Sequence, residues 1–241
     1  MNALRAALPA AAPASLAEAY AIQNAMVAAA GAIGGWKVAP LCAGATPRCS
    51  PLPAAFFAAS PARFAADFLV ACRAEVEIAI RLGADPGADA TPEQVAAAIA
   101  AIHPAVELLC GRHPAGSTPG DLHRLADLQG CAGVITGPGL TDWHGVAFDH
   151  LAIEISRDGA TQRAAPGQPS TAQTLAALAW LATHAHQRGL PLKPGDIVIT
   201  GARFGPFDLN GVTTLAARLE TLGGVELTIR NPTGETVQCL P

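Results

Sequence analysis

The segment CRAEVEIAIRLG, residues 72–83, places Glu75 and Glu77 two positions apart. On a β-strand such side chains point to the same side, while Val76, Ile78, Ile80 and Leu82 take the other. Two carboxylates converging on a partly buried face repel unless they are protonated or neutralised. A divalent cation that prefers oxygen ligands, Mg²⁺ or Mn²⁺, would neutralise them and keep positions open for water or substrate. Glu107, in the apolar run HPAVELLCG, could complete the set. An E-x-E pair is also commonly the solvated face of an amphipathic strand, and Arg81 further along fits that reading. The residues alone leave both meanings open.

The rest of the composition narrows the function classes. The chain has 241 residues, 51% hydrophobic and 14% charged, with a formal net charge of −4. No basic run interleaved with aromatics occurs, so the electrostatic footprint of nucleic-acid binding is missing. The six cysteines, at 42, 49, 72, 110, 131 and 239, form no C-x-x-C pair and no zinc spacing. In a chain with its own core they read as small buried hydrophobes in a reducing, cytoplasmic setting, without a disulfide framework. The Ala-rich start is broken by Pro9 and Pro13 and lacks the apolar centre of a signal peptide. No apolar run is long enough to span a bilayer.

These acids need elements to position them. Ser15 and Glu18 form a capping-box pattern ahead of Leu16, Tyr20, Gln23 and Val27 at helical spacing. GAIGGWKVAP then reads as a turn and a short strand, with Gly34 and Gly35 supplying flexibility. Residues 44–62 show no periodicity and read as a loop or cover segment. TPEQVAAAIAAI opens as a helix with Thr91 as N-cap and Pro92 in the first turn, and leads into the Glu107 run. LADLQGCAGVITGPG reads as a helix end and a strand, and Asp158–Gly159 as a hairpin turn. STAQTLAALAWLATHAHQRG is an amphipathic helix closed by Gly189, and short strands follow it to the end. The pattern is that of a β-rich α+β domain. We divide it into residues 1–66, an N-terminal helix, lysine-bearing turn and cover, and residues 67–241, the catalytic part, as one compact unit.

Several segments taken in order, AYAIQNAMVAAAGAIGGWKVAP, CRAEVEIAIRLG, HPAVELL, LADLQGCAGVITGPG and LKPGDIVITG, resemble the 2-keto-4-pentenoate hydratase family of the fumarylacetoacetate hydrolase superfamily. The resemblance implies a fold of mixed β-sheets or a barrel flanked by a few helices. It implies Mg²⁺ or Mn²⁺ on Glu75, Glu77 and Glu107, and catalytic roles for Lys37, Asp127 and Thr200. Trp36, Gly201 and Arg203 are implied around a 2-oxo acid substrate, with Arg203 either a clamp for a distal carboxylate or a surface arginine. The implied reaction adds water to a 2-hydroxyalka-2,4-dienoate or 2-oxo-alkenoate, giving a 4-hydroxy-2-oxo acid by way of an enolate that the cation stabilises. Aromatic catabolism, a homo-oligomer and association with a sibling pathway enzyme are implied with it.

The sequence departs from the family near that site. No acid lies between Lys37 and Asp67, and Gly130 and Cys131 stand where relatives tend to carry Ser or Asn. A 2-oxo acid decarboxylase, an acylpyruvate C–C hydrolase and a non-catalytic partner subunit are therefore alternatives. The histidines offer no second centre: His184 and His186, two apart on a helix, point in nearly opposite directions, while His103, His123 and His144 read as local hydrogen-bonding or turn residues. No G-x-S-x-G, G-x-G-x-x-G or Walker motif is present.

Overall fold

A computed structural model describes residues 8–40, 47–66, 72–114, 117–167 and 169–230. The described residues form four α-helices and two mixed sheets. The helices are α1 (Leu16–Ala30), α2 (Pro92–Ala98), α3 (Asp121–Ala126) and α4 (Thr171–Gln187). The strands are β1 (Ile33–Val38), β2 (Cys49–Pro53), β3 (Phe57–Ala59), β4 (Ala62–Ala65), β5 (Arg73–Leu82), β6 (Ile99–Leu109), β7 (Cys131–Thr136), β8 (Ile153–Arg157), β9 (Ala160–Ala164), β10 (Ile197–Ile199), β11 (Phe204–Asp208), β12 (Thr214–Leu219) and β13 (Gly223–Arg230). The larger sheet runs β2-β1-β10-β5-β6-β7-β3 with β11 also on β5, and the smaller runs β4-β13-β12-β8-β9. Both sheets are open, so among the described residues no barrel closes.

Local sequence explains the element starts. Ser15 accepts from the Glu18 N–H, and Thr91 with Gln94 and Ser170 with Gln173 form full capping boxes. Alternation then assigns faces. Val76, Ile78, Ile80 and Leu82 enter the main core with Val225 and Leu227 of β13 and Leu178 and Leu181 of α4. Ala79, Ala105, Val134 and Ile199 lie in a second cluster with Met26 and Val27 of α1. Glu75, Glu77 and Glu107 share this second face by the period of two.

Three expectations change. The 44–62 segment, described from residue 47, carries β2, β3 and the start of β4. All three are edge strands, where Pro51 and Pro53 sit without interrupting a central ladder. The helix from Thr91 ends at Ala98, and the β-branched run from Ile99 joins an eleven-residue strand paired along β5. Gly34 and Gly35 lie within β1 rather than in a turn, and a Cβ at Gly35 would stand 2.0 Å from the Ile197 carbonyl oxygen. The glycine there is required by close approach of β10.

The cysteine expectation is also corrected. Cys72 and Cys110 form a disulfide, because the Arg73–Leu109 pairing brings the residues just beyond it to a Cα separation of 4.6 Å. Cys49 and Cys131 are free and buried, and Cys42 and Cys239 lie outside the described residues. The 66/67 division falls where a described segment ends, and residues before it supply strands to both sheets. No helix among the described residues is long and apolar enough to cross a membrane.

Candidate metal centre

Register brings the acids together. Glu75 on β5 pairs directly with Glu107 on β6, and Glu77 lies one same-face position along, opposite Ala105. One oxygen from each of Glu75, Glu77 and Glu107 falls within 4.8 Å of the others. Glu77 and Glu107 are fully buried, and Glu75 is partly exposed towards a cavity.

Lys37 reaches this cluster from β1, which pairs parallel to β10, and β10 in turn pairs with β5. Its Nζ donates to both oxygens of Glu107, at 2.8 and 2.7 Å. Burial alone would push the ammonium down, but the charges of Glu107 and Glu77 outweigh it and hold Lys37 above its ordinary range.

Between β10 and β11 the chain leaves β5 beside Glu77. The Gly201 N–H donates to Glu77 Oε2 at 2.7 Å. Gly201 has φ +102°, and a Cβ there would stand 2.7 Å from the Pro40 ring, so glycine is needed on both counts. Thr200 Oγ1 donates to the Ile78 carbonyl at 3.1 Å. Glu77 Oε1 has no hydrogen-bond partner although it is buried. Burial, followed by the charge of Glu107, pushes the Glu77 carboxyl well above its ordinary range, and Glu75 is raised chiefly by burial.

An orphaned buried carboxylate oxygen facing two more carboxylates is costly unless a cation or proton satisfies it. The donor set, all oxygen and all acidic, suits a hard divalent ion. Cys131, buried at the start of β7, is pushed up by burial and by Glu107, so it stays a neutral thiol beside the cluster.

The remaining candidates separate. Asp127 is buried in an ion pair: Arg112 donates to Oδ1 and, through its backbone N–H, to Oδ2, both at 2.8 Å. It lines a neighbouring cavity with His113 and Arg73. Trp36 adjoins Lys37 in sequence and so faces the opposite side of β1, into the main core. Arg203 is buried, donating to the Pro169 carbonyl and, at 3.2 Å, to Thr174 Oγ1, and burial lowers it to about 10.

A cavity of about 230 Å³ that reaches the cluster at Glu75 is lined by Lys37, Glu75, Arg48, Asp121, Arg124 and Gln129, among others. The last four were not singled out from sequence. Gln129 carries a signal only in retrospect: Leu128, Gln129 and Gly130 all have positive φ (53°, 55° and 75°), a strained run ahead of β7. Gln129 Nε2 donates to Ser50 Oγ at 3.1 Å, which fixes its side chain on the cavity wall.

Comparison with known proteins bears on the family and the fold. The family model for fumarylacetoacetate (FAA) hydrolase C-terminal matches residues 53–230. A 2-keto-4-pentenoate hydratase from Burkholderia vietnamiensis (strain G4 / LMG 22486) is 34% identical over 77 residues, 32% of this chain and 29% of that protein, so the match spans under a third of its length. Among solved structures, 4-oxalocrotonate decarboxylase from Pseudomonas putida G7, complexed with calcium and acetate, aligns with TM-score 0.74 and 22% identity over 89% of this chain and 86% of that one. Fumarylpyruvate hydrolase from Pseudomonas aeruginosa, in complex with Mn²⁺ and pyruvate, aligns with TM-score 0.55 and 17% identity over 80% of this chain and 88% of that one.

Proposed function

Because this chain belongs to the fumarylacetoacetate hydrolase C-terminal family, we propose that it is a divalent-metal-dependent hydratase of 2-hydroxydienoic or 2-oxo-alkenoic acids. Glu75, Glu77 and Glu107 would hold Mg²⁺ or Mn²⁺. The observation that carries this reading is the partnerless, buried Oε1 of Glu77 within reach of two other carboxylates. The hydratase likeness and the calcium and Mn²⁺ of the two structural relatives support it. When bound, such an ion supplies Lewis acidity at the 2-oxo oxygen and a docking point for the adjacent carboxylate.

The protein's own residues do the rest. The Gly201 N–H holds Glu77 Oε2 and so turns Oε1 inward. Lys37 is charged, which makes it a proton donor, not a base, and its place against Glu107 lets it pair with the substrate carboxylate or protonate C3 as water adds at C4. The hydroxyl of Thr200, tethered to the Ile78 carbonyl, retains lone pairs for the incoming water. Asp127 acts through Arg112 on the turn that carries Gln129. Trp36 supports the reverse side of β1 beneath Lys37. Decarboxylation or C–C hydrolysis of a related 2-oxo acid would use the same residues. We place the enzyme as a homo-oligomer, associated with an enzyme acting on the same substrate series.

The test is an absorbance assay of Mg²⁺-loaded protein against 2-hydroxydienoates, unsaturated 2-oxo acids and acylpyruvates. Hydration predicts loss of the dienoate band with oxygen from labelled water at C4. Release of carbon dioxide, cleavage of the acylpyruvate, or no turnover would each contradict it.

A further inference from the structure

Gln23 is fully buried on the face of α1 that also carries Met26 and Val27. A buried amide is costly unless its hydrogen bonds are made, and Gln23 makes them to elements that wall the acid cavity. Its Nε2 donates to the Cys49 carbonyl at 3.2 Å and Ser50 Oγ at 2.9 Å on β2, and to the Leu125 carbonyl at 2.6 Å on α3. Its Oε1 accepts from Arg188 at 3.2 Å, and that guanidinium is itself anchored over the Tyr20 ring, 4.4 Å from the centroid. Ser50 is fully buried too, in register with Lys37 across β1 and β2. Its Oγ accepts a second bond from Gln129 Nε2 at 3.1 Å. A chain of side chains thus runs from α1 through β2 to the cavity wall. It ends on Gln129, held at φ 55° and ψ 31°, a conformation that its surroundings must fix.

With Nε2 given to Ser50, the Gln129 atom left for the cavity is Oε1, and among the described residues no donor meets it. The charges of Lys37, Arg48 and Arg124 on the same walls favour an amide oxygen facing inward over an amide nitrogen. Oε1 accepts hydrogen bonds and cannot donate them. The carboxylate and 2-oxo oxygens of a 2-oxo acid are acceptors as well, so the group of such a ligand that Oε1 can take is a hydroxyl. We propose that Gln129 reads the 4-hydroxyl of a 4-hydroxy-2-oxo acid through Oε1, and that Gln23 and Ser50 are positioning residues that aim it. This rests on the 2-oxo acid reading above and adds to it a residue that sets specificity. An amide already fixed by its neighbours loses little freedom when the ligand binds, so its hydrogen bond is kept as affinity.

The test is calorimetric binding of two ligands of equal carbon number, 4-hydroxy-2-oxopentanoate and 2-oxopentanoate, to Mg²⁺-loaded protein. The proposal predicts that the hydroxylated ligand binds about three- to tenfold more tightly. Gln129→Leu, which keeps the bulk and loses the amide, should bring the ratio to one and leave the affinity for 2-oxopentanoate unchanged. Ser50→Ala and Gln23→Met should each lower the ratio, and Ser50→Ala added to Gln129→Leu should change it no further. Melting temperatures check folding, and Ser50→Ala, the smallest change, carries the test should Gln23→Met unfold. A parent ratio of one, or variants that weaken both ligands alike, overturns the inference and leaves the 2-oxo acid reading standing. Binding of neither ligand by the parent overturns that reading and the inference with it.

Discussion

Lys37 Nζ lies within 2.8 Å of both carboxylate oxygens of Glu107. A largely buried ammonium is thus held against one edge of the carboxylate cluster and borders the cavity. A divalent ion held by the three acids would share Glu107 with this ammonium, so Lys37 would both limit the negative charge and compete for it.

Lys37→Met should separate those two effects. Loss of the proton donor is expected to lower kcat by about 10²–10⁴, while Mg²⁺ affinity is kept or rises because a competing cation is gone. Steady-state kinetics and calorimetric Mg²⁺ titration check this. Retained turnover, or loss of Mg²⁺ binding, would contradict the role.

Gln129→Gly tests whether the left-handed turn at 128–130 is held for function. Glycine relieves about 1–2 kcal/mol of left-handed strain but adds chain entropy and removes the Ser50 hydrogen bond, worth about 1 kcal/mol. These nearly cancel, so the melting temperature should move by no more than about 3 °C. KM should rise about fivefold or more as the cavity wall opens. A large loss of stability with unchanged KM would make Gln129 a folding residue only.

His184 predicts acid sensitivity. It stacks on Trp180 at 4.7 Å and leans on Tyr20, its Nε2 is buried without a partner, and burial, then the charge of Arg188, lowers its pKa below 6.5. The unfolded chain therefore binds this proton more readily, and stability should fall as pH drops through the ordinary histidine range. Melting curves from pH 8 to pH 5 should show that slope, and His184→Gln should flatten it. An identical slope in the variant would contradict the assignment.

The Cys72–Cys110 bridge joins the strands three residues outside Glu75 and Glu107, with a sequence separation of 38. Loop-closure entropy puts its removal at up to about 4 kcal/mol. Cys72→Ala with Cys110→Ala should lower the melting temperature by about 8–16 °C and weaken Mg²⁺ binding. Unchanged values for both would show that strand pairing alone fixes the acids.

Much of the site was legible because alternation is a local signal. Val76, Ile78 and Ile80 against Glu75 and Glu77 declare two faces, and Thr91 and Ser170 mark helix starts. What was hidden depends on partners distant in sequence. The Pro-rich stretch around Pro51 and Pro53 reads as loop, but edge position in a sheet accommodates it. Nothing near Arg203 in sequence shows that Pro169 and Thr174 will claim it, and nothing near Cys72 shows that β6 brings Cys110 alongside. Gln129 was missed because residues other than glycine rarely take positive φ, so its pattern gives no sign of the turn.

The central claim is that Glu75, Glu77 and Glu107 form one cation site, and Mn²⁺ titration followed by electron paramagnetic resonance tests it most directly. The parent chain should quench the free Mn²⁺ signal to a stoichiometry of one per chain, and Glu77→Gln, with its circular dichroism unchanged, should leave the signal at full strength. Equal quenching by parent and variant, or none by either, would contradict the site.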